Sequence, residues 1–568
     1  MYNRSMNTDS EHIKRLIAQG ETFTTEFKSD RGALSDHELV EAVVCLANGE
    51  GGTLLLGVED DGEITGLDHK RGVVDAVQVQ ALLMNQTMPS LSCQVTLVNV
   101  DDWQIAVVDV PRSRTPVGTR GGTYKRRALR VDGKPECVPY SLAEMLSQAI
   151  SVGDKDYALL PVPGLTWHDL DPAEFARFRQ LAGTATLGAD ASLVELSDIE
   201  IARALRVVAV GERDPEPLMG ALLLFGRVGS IRRFAPTHEV FFQVSEDLVL
   251  GANDDLTAGL LAAADSLFAQ FRQRNSITEV DAGLVHLRIP LVPERAFREA
   301  VANALVHRDY TRMGAVRVAI DSAGVTVSSP GGFVEGVRVD NVLDQSKPRS
   351  PVLADAFKRA GIVERAGLGV RRMFEDVIRV GRPAPDYSRT SSTDVIVRFD
   401  TDSLDIPLLR YFFQIEQEQR HPIRLADLLT LQWLRHSGKI SLAEAAELTQ
   451  QSRTQTLEQL TRLVEAGLIE RRGSARSQAY HLSAATFRAL DEPSAYVRIQ
   501  GFDKVQQAAM IKSYVAANGS ISRSQAADLC RISPVQATAL LRSLADSEEL
   551  MMVGSRRGSR YVPNQALT

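Results

Sequence analysis

Residues 440–480 and 521–561 align without a gap at an offset of 81 and are identical at 13 of 41 positions. The shared residues include Ile440/Ile521, Ser441/Ser522, Ala445/Ala526, Leu448/Leu529, Ser452/Ser533, Gln455/Gln536, Leu460/Leu541 and Tyr480/Tyr561. Self-similarity at a fixed period means two copies of one supersecondary unit, so the tail must be built as a duplicated module. Each copy predicts helix, short turn, helix and a glycine-centred hairpin. In the first, Leu442–Leu448 is a short helix and Ser452 is a suitable N-cap for a second helix reaching Ala466. In the second, Ser533 caps a helix with Pro534 at its favoured first position. The hairpins carry Arg471, Arg472 and Arg476, and Arg556, Arg557 and Arg560. Residues 421–568 hold 18 Lys and Arg against 13 Asp and Glu, which leaves 46 against 59 for the first 420 residues and −8 for the chain. A basic tail on an acidic body points to a polyanionic partner.

Helix-turn-helix followed by a basic wing resembles the winged-helix family of DNA-binding domains. That resemblance implies that the second helix enters the major groove. It would present Arg453, Thr454, Gln455 and Gln459 in one copy and Gln536, Thr538 and Arg542 in the other, with wing arginines on phosphates. Winged helices also serve as dimerisation and docking modules. The second copy, with fewer basic residues on its helix, is the candidate for that role.

The remaining 420 residues divide by composition and turn signals. At 568 residues, three to five domains are expected. With 44% hydrophobic and 24% charged residues, the chain is neither disordered nor collagenous. No apolar run is long enough to cross a bilayer, so no membrane partner is expected. The polar, mixed-charge start (Met1–Leu16) predicts no secretory or transit signal. Cys45, Cys93, Cys137 and Cys530 form no CxxC pair, so neither a disulfide framework nor a zinc site is expected, and a reducing cytoplasm fits. The boundaries read as 1–160, 161–275, 276–400, 401–490 and 491–568, with Pro161–Pro172 as a linker. The first segment predicts a strand at Thr24–Phe27, a helix at Asp36–Ala47, and strands at Thr53–Val58, Gln94–Val100, Trp103–Val110 and Leu129–Val131. The second predicts strands at Ala221–Phe225 and Val240–Val244 and a helix at Leu256–Arg272. The third predicts a helix at Glu294–Val306, strands at Ala315–Ile320 and Val325–Ser328, and helices at Pro351–Ala360 and from Gly369.

In the helix Glu294–Val306, Glu299 and Asn303 are four residues apart and share one face. A carboxylate and an amide so placed can activate water and hold Mg²⁺ near a triphosphate, although a polar stripe on a half-buried helix has the same spacing. Downstream lie Ser329-Pro330-Gly331-Gly332 and the glycine loop Glu364-Arg365-Ala366-Gly367-Leu368-Gly369, which opens a helix able to receive phosphate oxygens. This order resembles the GHKL nucleotide-binding domain of gyrase, a heat-shock chaperone family, histidine kinases and MutL. It is similar above all to the branch found in bacterial RecG-like regulators. The resemblance implies ATP with Mg²⁺ (or Mn²⁺), Asn303 as the Mg²⁺ ligand, Glu299 as the hydrolytic base, and Gly331, Gly332, Gly367 and Gly369 around the nucleotide. The Asp-x-Gly-x-Gly box that reads adenine in that superfamily is absent, with Ser329-Pro330-Gly331-Gly332 in its place. There is no P-loop.

Near the N-terminus, Glu21 and Glu26 lie before and on the first strand beside Lys28, and Asp60 follows the strand Thr53–Val58. Carboxylates at neighbouring strand ends can bind divalent metals that cut phosphodiesters, with a lysine offsetting phosphate charge. Acidic strand ends are also common without any such role. The string Ala47-Asn48-Gly49-Glu50-Gly51-Gly52, running into Gly57-Val58-Glu59-Asp60, is similar to the Schlafen AlbA-like domain. In its nuclease members two glutamates and an aspartate form a metal site for structured RNA, and Glu21, Glu26 and Asp60 occupy matching positions beside Lys28. Lys125, Arg126 and Arg127 offer contacts to a nucleic-acid backbone. The expected fold is therefore multidomain α/β (α+β): a Schlafen AlbA-like domain, a connector, a GHKL-like α/β sandwich and two winged helices. The leading functional expectation is a nucleotide-responsive DNA-binding regulator. The alternatives are an ATP-gated metal-dependent nuclease acting on DNA, structured RNA or tRNA, plausibly in phage defence, and an ATP-gated assembly scaffold. A homodimer or higher homo-oligomer is expected.

Overall fold

The computed structural model describes residues 10–32, 34–67, 75–130, 133–184, 189–209, 215–246, 249–282, 285–363, 367–473, 478–490, 504–530, 532–547, 549–554 and 559–564. Ser35 opens the first long helix, Asp36–Ala47, with a capping box: its side chain accepts from Glu38 N–H, and the Glu38 carboxylate accepts from Ser35 N–H. This helix covers one face of a four-stranded sheet ordered Thr25–Lys28, Gly52–Leu56, Trp103–Val110, Gln94–Val100, in which only the first pair is parallel. Leu54 and Leu56 point into the core beneath the helix, with Leu39, Val43 and Leu46. Leu55 points the other way and packs with Phe27, Val107 and Ile13 of the helix Ser10–Gln19. Burial on both faces explains the unbroken apolar run of the second strand. The strand expected at Leu129–Val131 is placed at Lys125–Leu129 and pairs with Pro135–Pro139, while Val131 lies outside the described residues.

The structure overturns three expectations for residues 36–225. Cys45 and Cys137 form a disulfide that ties the helix Asp36–Ala47 to the strand Pro135–Pro139, with their Cα atoms 5.8 Å apart, while Cys93 and Cys530 are free. The expected strand at Ala221–Phe225 is part of a helix, Met219–Phe225, in which every residue is buried. An apolar segment buried all round has no periodicity to reveal its type. The stretch 161–172 is not a free linker: Leu165 and Leu170 are core residues and Pro161 bridges to Leu218.

The central sheet has five strands, ordered Val249–Asp255, Val240–Glu246, Val316–Asp321, Gly324–Pro330, Asp394–Asp400. Its first two strands precede residue 276, so the sheet spans the boundary expected at 275. The helix Glu294–Val306 packs with Leu260–Arg272 through a stack of Phe297 on Phe271 at 3.7 Å. Further on, Ser350 caps Pro351–Arg359, and Gly369–Arg379 follows.

Both tail copies run helix, bridging strand, helix, helix, hairpin. The first comprises Leu425–Ser437, the Ile440–Tyr480 bridge, Leu442–Thr449, Arg453–Glu465, and strands Ile469–Arg472 and Ala479–Leu482. The second comprises Lys504–Asn518, Ile521–Ser522, Arg523–Cys530, Pro534–Asp546, and strands Leu550–Val553 and Arg560–Pro563. The first copy shares its core with the central module, whereas the second has a separate core around Ile511, Leu541 and Tyr561. Among the described residues, no helix is long and apolar enough to cross a membrane.

Candidate nucleotide and nucleic-acid sites

Between the helix Glu294–Val306, the strands Gly324–Pro330 and Asp394–Asp400, and the loop that follows Gly332 lies a cavity of about 140 Å³. Val327, Val395, Val397, Phe333 and Tyr387 supply apolar walls, and Glu299, Asn303, Ser346, Lys347 and Arg349 supply a polar rim. It continues past Glu299, Asn303, His307 and Ser346 into an open depression of about 280 Å³ that reaches Gly367 and Gly369. The structure thus brings Glu299, Asn303, Gly367 and Gly369 together. Asn303 Nδ2 donates to Glu299 Oε1 at 3.0 Å, which turns the amide oxygen away from the carboxylate and leaves it suited to a cation. Burial raises the Glu299 pKa above its ordinary value, against the pull of the Asn303 hydrogen bond and of Arg295 and Arg372.

Gly369 is required by this arrangement, since a Cβ there would lie 1.8 Å from Glu299 Oε1. Gly331 and Gly332 answer to packing: a Cβ would meet Asp309 Cβ at 2.5 Å in the first and two carbonyl oxygens at 2.8 Å in the second. Gly332 also lines the cavity, and Ser329, where the superfamily has its base-reading box, is buried with its hydroxyl on Ala304 O at 2.7 Å. Glu364, Arg365 and Ala366 lie outside the described residues. The sequence reading missed His307, Lys347, Arg349 and Tyr387. His307 is held neutral, its pKa pushed down to about 4 by burial and by Arg349. The available signal was the Lys347-Pro348-Arg349 cluster just before the Ser350-Pro351 helix start.

At the N-terminal site, Glu21, Glu26, Lys28 and Asp60 line one open depression of about 380 Å³ with Glu38, Glu41, Lys125 and Arg127. Its chemistry differs from the expected open trio. Glu26 is 5% exposed, and its two oxygens face Lys28 Nζ (2.5 Å) and an Arg127 guanidinium nitrogen. Glu21 accepts from Phe27 N–H at 3.0 Å, and burial raises its pKa. Asp60 is exposed. Among the described residues, no group of three or more His, Cys, Asp or Glu side chains is arranged to hold a metal ion. With Glu26 committed to two cations, the donor set as arranged does not fit a divalent ion.

The basic stretch is likewise paired inward. Arg127, expected on a nucleic-acid surface, is 3% exposed and donates to the carbonyls of Thr22 and Thr25 as well as to Glu26. Lys125 pairs with Glu41 at 2.7 Å and Arg126 Nε with Glu144 at 3.0 Å.

In the tail, Arg453, Thr454, Gln455 and Arg471 are exposed, as are Gln536, Arg542 and Arg560. Gln455 and Gln536 also close capping boxes with Ser452 and Ser533. Gln459, expected in the groove, is 2% exposed and donates to Thr430 Oγ1 at 2.9 Å. Its place three residues after buried Thr456 puts it on the inward stripe of the helix. Arg472 pairs with Glu470, its Nε 2.6 Å from the carboxylate. Arg476, Arg556 and Arg557 lie outside the described residues.

Three family models match parts of the chain. Residues 21–133 match the family described as "Schlafen, AlbA_2", and residues 314–399 match "Putative ATP-dependent DNA helicase recG C-terminal". Residues 143–241 match a domain of unknown function, DUF8451. The chain therefore carries a Schlafen AlbA-type domain ahead of a RecG-type ATPase-like domain. No curated protein matches the chain. Among solved structures, the DIP2311 protein from Corynebacterium diphtheriae is similar over 97% of this chain and 98% of its own, with 21% identity and a TM-score of 0.47.

Proposed function

We propose that this chain is a nucleotide-responsive DNA-binding regulator, in which a purine nucleotide held in the central module sets how the N-terminal domain and the two winged helices are presented. The observation that carries this reading is the cavity itself. It joins an apolar slot sized for a base to a polar mouth where a half-buried carboxylate, an amide and a glycine-opened helix converge. Asn303 would hold the Mg²⁺ that accompanies the phosphates, and that ion would supply charge neutralisation there. Glu299, with its raised pKa, is suited to accept a proton from water. Glu299 is the one carboxylate lining the slot among the described residues, and Ser329 is committed to Ala304, so nothing negative is placed to read an adenine amino group. We therefore assign ATP as the ligand with little discrimination against GTP. Exposed Arg453, Gln455, Arg471 and Arg542 support duplex contact by the tail, with a homodimer as the working assembly.

The test is calorimetric titration of the full chain with ATP·Mg²⁺ and GTP·Mg²⁺, beside Asn303→Ala. Micromolar binding to the wild type that is weakened in the variant supports the reading. Its absence in the wild type overturns it.

The nuclease reading stands second, favoured by the convergence of Glu21, Glu26, Lys28 and Asp60 on one depression. It requires Glu26 to exchange Arg127 or Lys28 for a metal. Mg²⁺- or Mn²⁺-dependent cleavage of tRNA, lost in both Glu26→Ala and Asp60→Ala, would establish it.

A further inference from the structure

Of the two cations on the cavity rim, only one is matched by a carboxylate. Arg349 faces Asp309 at 3.9 Å and donates to His307 O at 2.8 Å and to Gly332 O. Lys347 pairs with no carboxylate among the described residues. Its ammonium donates to two neutral acceptors, Val152 O at 3.4 Å and Glu335 O at 3.2 Å.

Val152 is the last residue of the helix Leu142–Val152, which follows directly on the strand Pro135–Pro139 of the N-terminal domain. The last carbonyls of a helix have no partner within it and lie at its negative end, so Lys347 acts as a C-terminal cap on that helix. This helix and the segment that follows it are tied to residues beside the cavity at two further places. Ser147 donates to Asp309, the partner of Arg349, and Asp156 accepts from Ser350 Oγ (2.6 Å) and Val352 N–H (3.0 Å).

A lysine on two long bonds to neutral carbonyls, at the mouth of a cavity suited to a polyphosphate, is poised to change partner. A phosphate oxygen adds its own negative charge to the attraction and accepts at a shorter distance than these carbonyls do, and the flexible lysine stem lets the ammonium swing without moving the backbone. Resting on the nucleotide reading above, we propose that Lys347 is shared between two states. It caps the helix Leu142–Val152 when the cavity is empty. When a polyphosphate-bearing ligand enters, Lys347 turns to the phosphates and releases that helix end, so occupancy of the central module is felt in the N-terminal domain. Coupling arises because the ligand interacts differently with the two states.

The experiment uses the full chain as wild type, Lys347→Met and Lys347→Arg. ATP·Mg²⁺ and adenosine are titrated by calorimetry, and hydrogen exchange is followed across residues 142–156. The expected result is an ATP affinity about tenfold lower in Lys347→Met, as loss of one charge-assisted hydrogen bond implies. Adenosine affinity is unchanged, and Lys347→Arg retains the preference for ATP. Exchange at 142–156 accelerates in the wild type with ATP but not with adenosine, and is fast in Lys347→Met without ligand. Undiminished ATP affinity in Lys347→Met, or ATP binding that leaves exchange at 142–156 unchanged, overturns the proposal while the nucleotide reading stands. Failure of the wild type to bind either ligand removes the nucleotide reading and this inference with it.

Discussion

Glu299 and Glu26 show how differently one residue type can be used. Glu299 is half-buried beside an amide and raised in pKa, so in the folded state it holds its proton more tightly than in the unfolded chain. A carboxyl of this kind contributes stability that is fully present below the ordinary glutamate pKa and is lost as pH rises through the folded value. Glu299→Gln cannot ionise and keeps the hydrogen bond from Asn303. It is therefore expected to melt above the wild type at neutral pH, with the difference closing as pH falls from the raised folded value to the ordinary glutamate pKa. Thermal melts across that range check this, and a constant difference would contradict it. Glu26 is buried against Arg127 and Lys28 instead. Removing one partner of a buried pair leaves an uncompensated charge, so Arg127→Met is expected to cost about 3–5 kcal/mol of folding stability. Lys125→Met breaks a partly exposed pair with Glu41 and is expected to cost about 0–1 kcal/mol. Urea unfolding of the two variants decides whether Arg127 is structural, as its 3% exposure implies, or a surface ligand for nucleic acid.

Local signals placed most of the elements. The helix Glu294–Val306 and the helix Asp36–Ala47 begin and end where their apolar spacing says they should. Ser-x-x-Gln caps both second tail helices, because the cap satisfies donors that lie within four residues of it. The Ala-Asn-x-x-Gly-Gly string also has a local reason to exist. Asn48 bonds the carbonyls of Val117 and Lys125, and a Cβ at Gly52 would lie 2.0 Å from Thr24 O. What stayed hidden is pairing across the chain: Cys45 with Cys137, Arg127 with Glu26, and Lys347 with Val152 are separated by 92, 101 and 195 residues. No window of sequence contains both partners, and a basic triplet such as Lys125-Arg126-Arg127 looks alike whether it faces solvent or carboxylates. The disulfide between Cys45 and Cys137 closes one such long loop. Closing a loop of that length stabilises by about 4–5 kcal/mol in the chain-entropy model. A dithiol reductant, or Cys137→Ser, is therefore expected to lower the denaturant midpoint of the N-terminal domain while leaving the separately packed second tail copy unchanged. An unchanged midpoint would mean that the bond adds nothing to the fold.

Across the whole molecule, the modules are joined beside the cavity. Ser147 and Val152 of the N-terminal side hold Asp309 and Lys347. On the opposite side, Gln450 in the turn between the helices Leu442–Thr449 and Arg453–Glu465 donates to Val339 O at 2.7 Å and accepts from Leu343 N–H at 2.8 Å. The loop from Phe333 to Ser350 thus touches the nucleotide cavity, the N-terminal domain and the first tail copy at once. A ligand that shifts this loop would shift both neighbours, the physical route that the proposed nucleotide control of DNA binding would take. The most direct measurement is fluorescence anisotropy of a labelled duplex with the full chain, at low and moderate salt, with and without saturating ATP·Mg²⁺. The expected result is an affinity that falls steeply with salt and changes at least about fivefold on adding ATP, the lower end of ordinary allosteric coupling. An affinity identical with and without ATP, in a sample shown to bind ATP, would contradict a nucleotide-responsive DNA-binding protein.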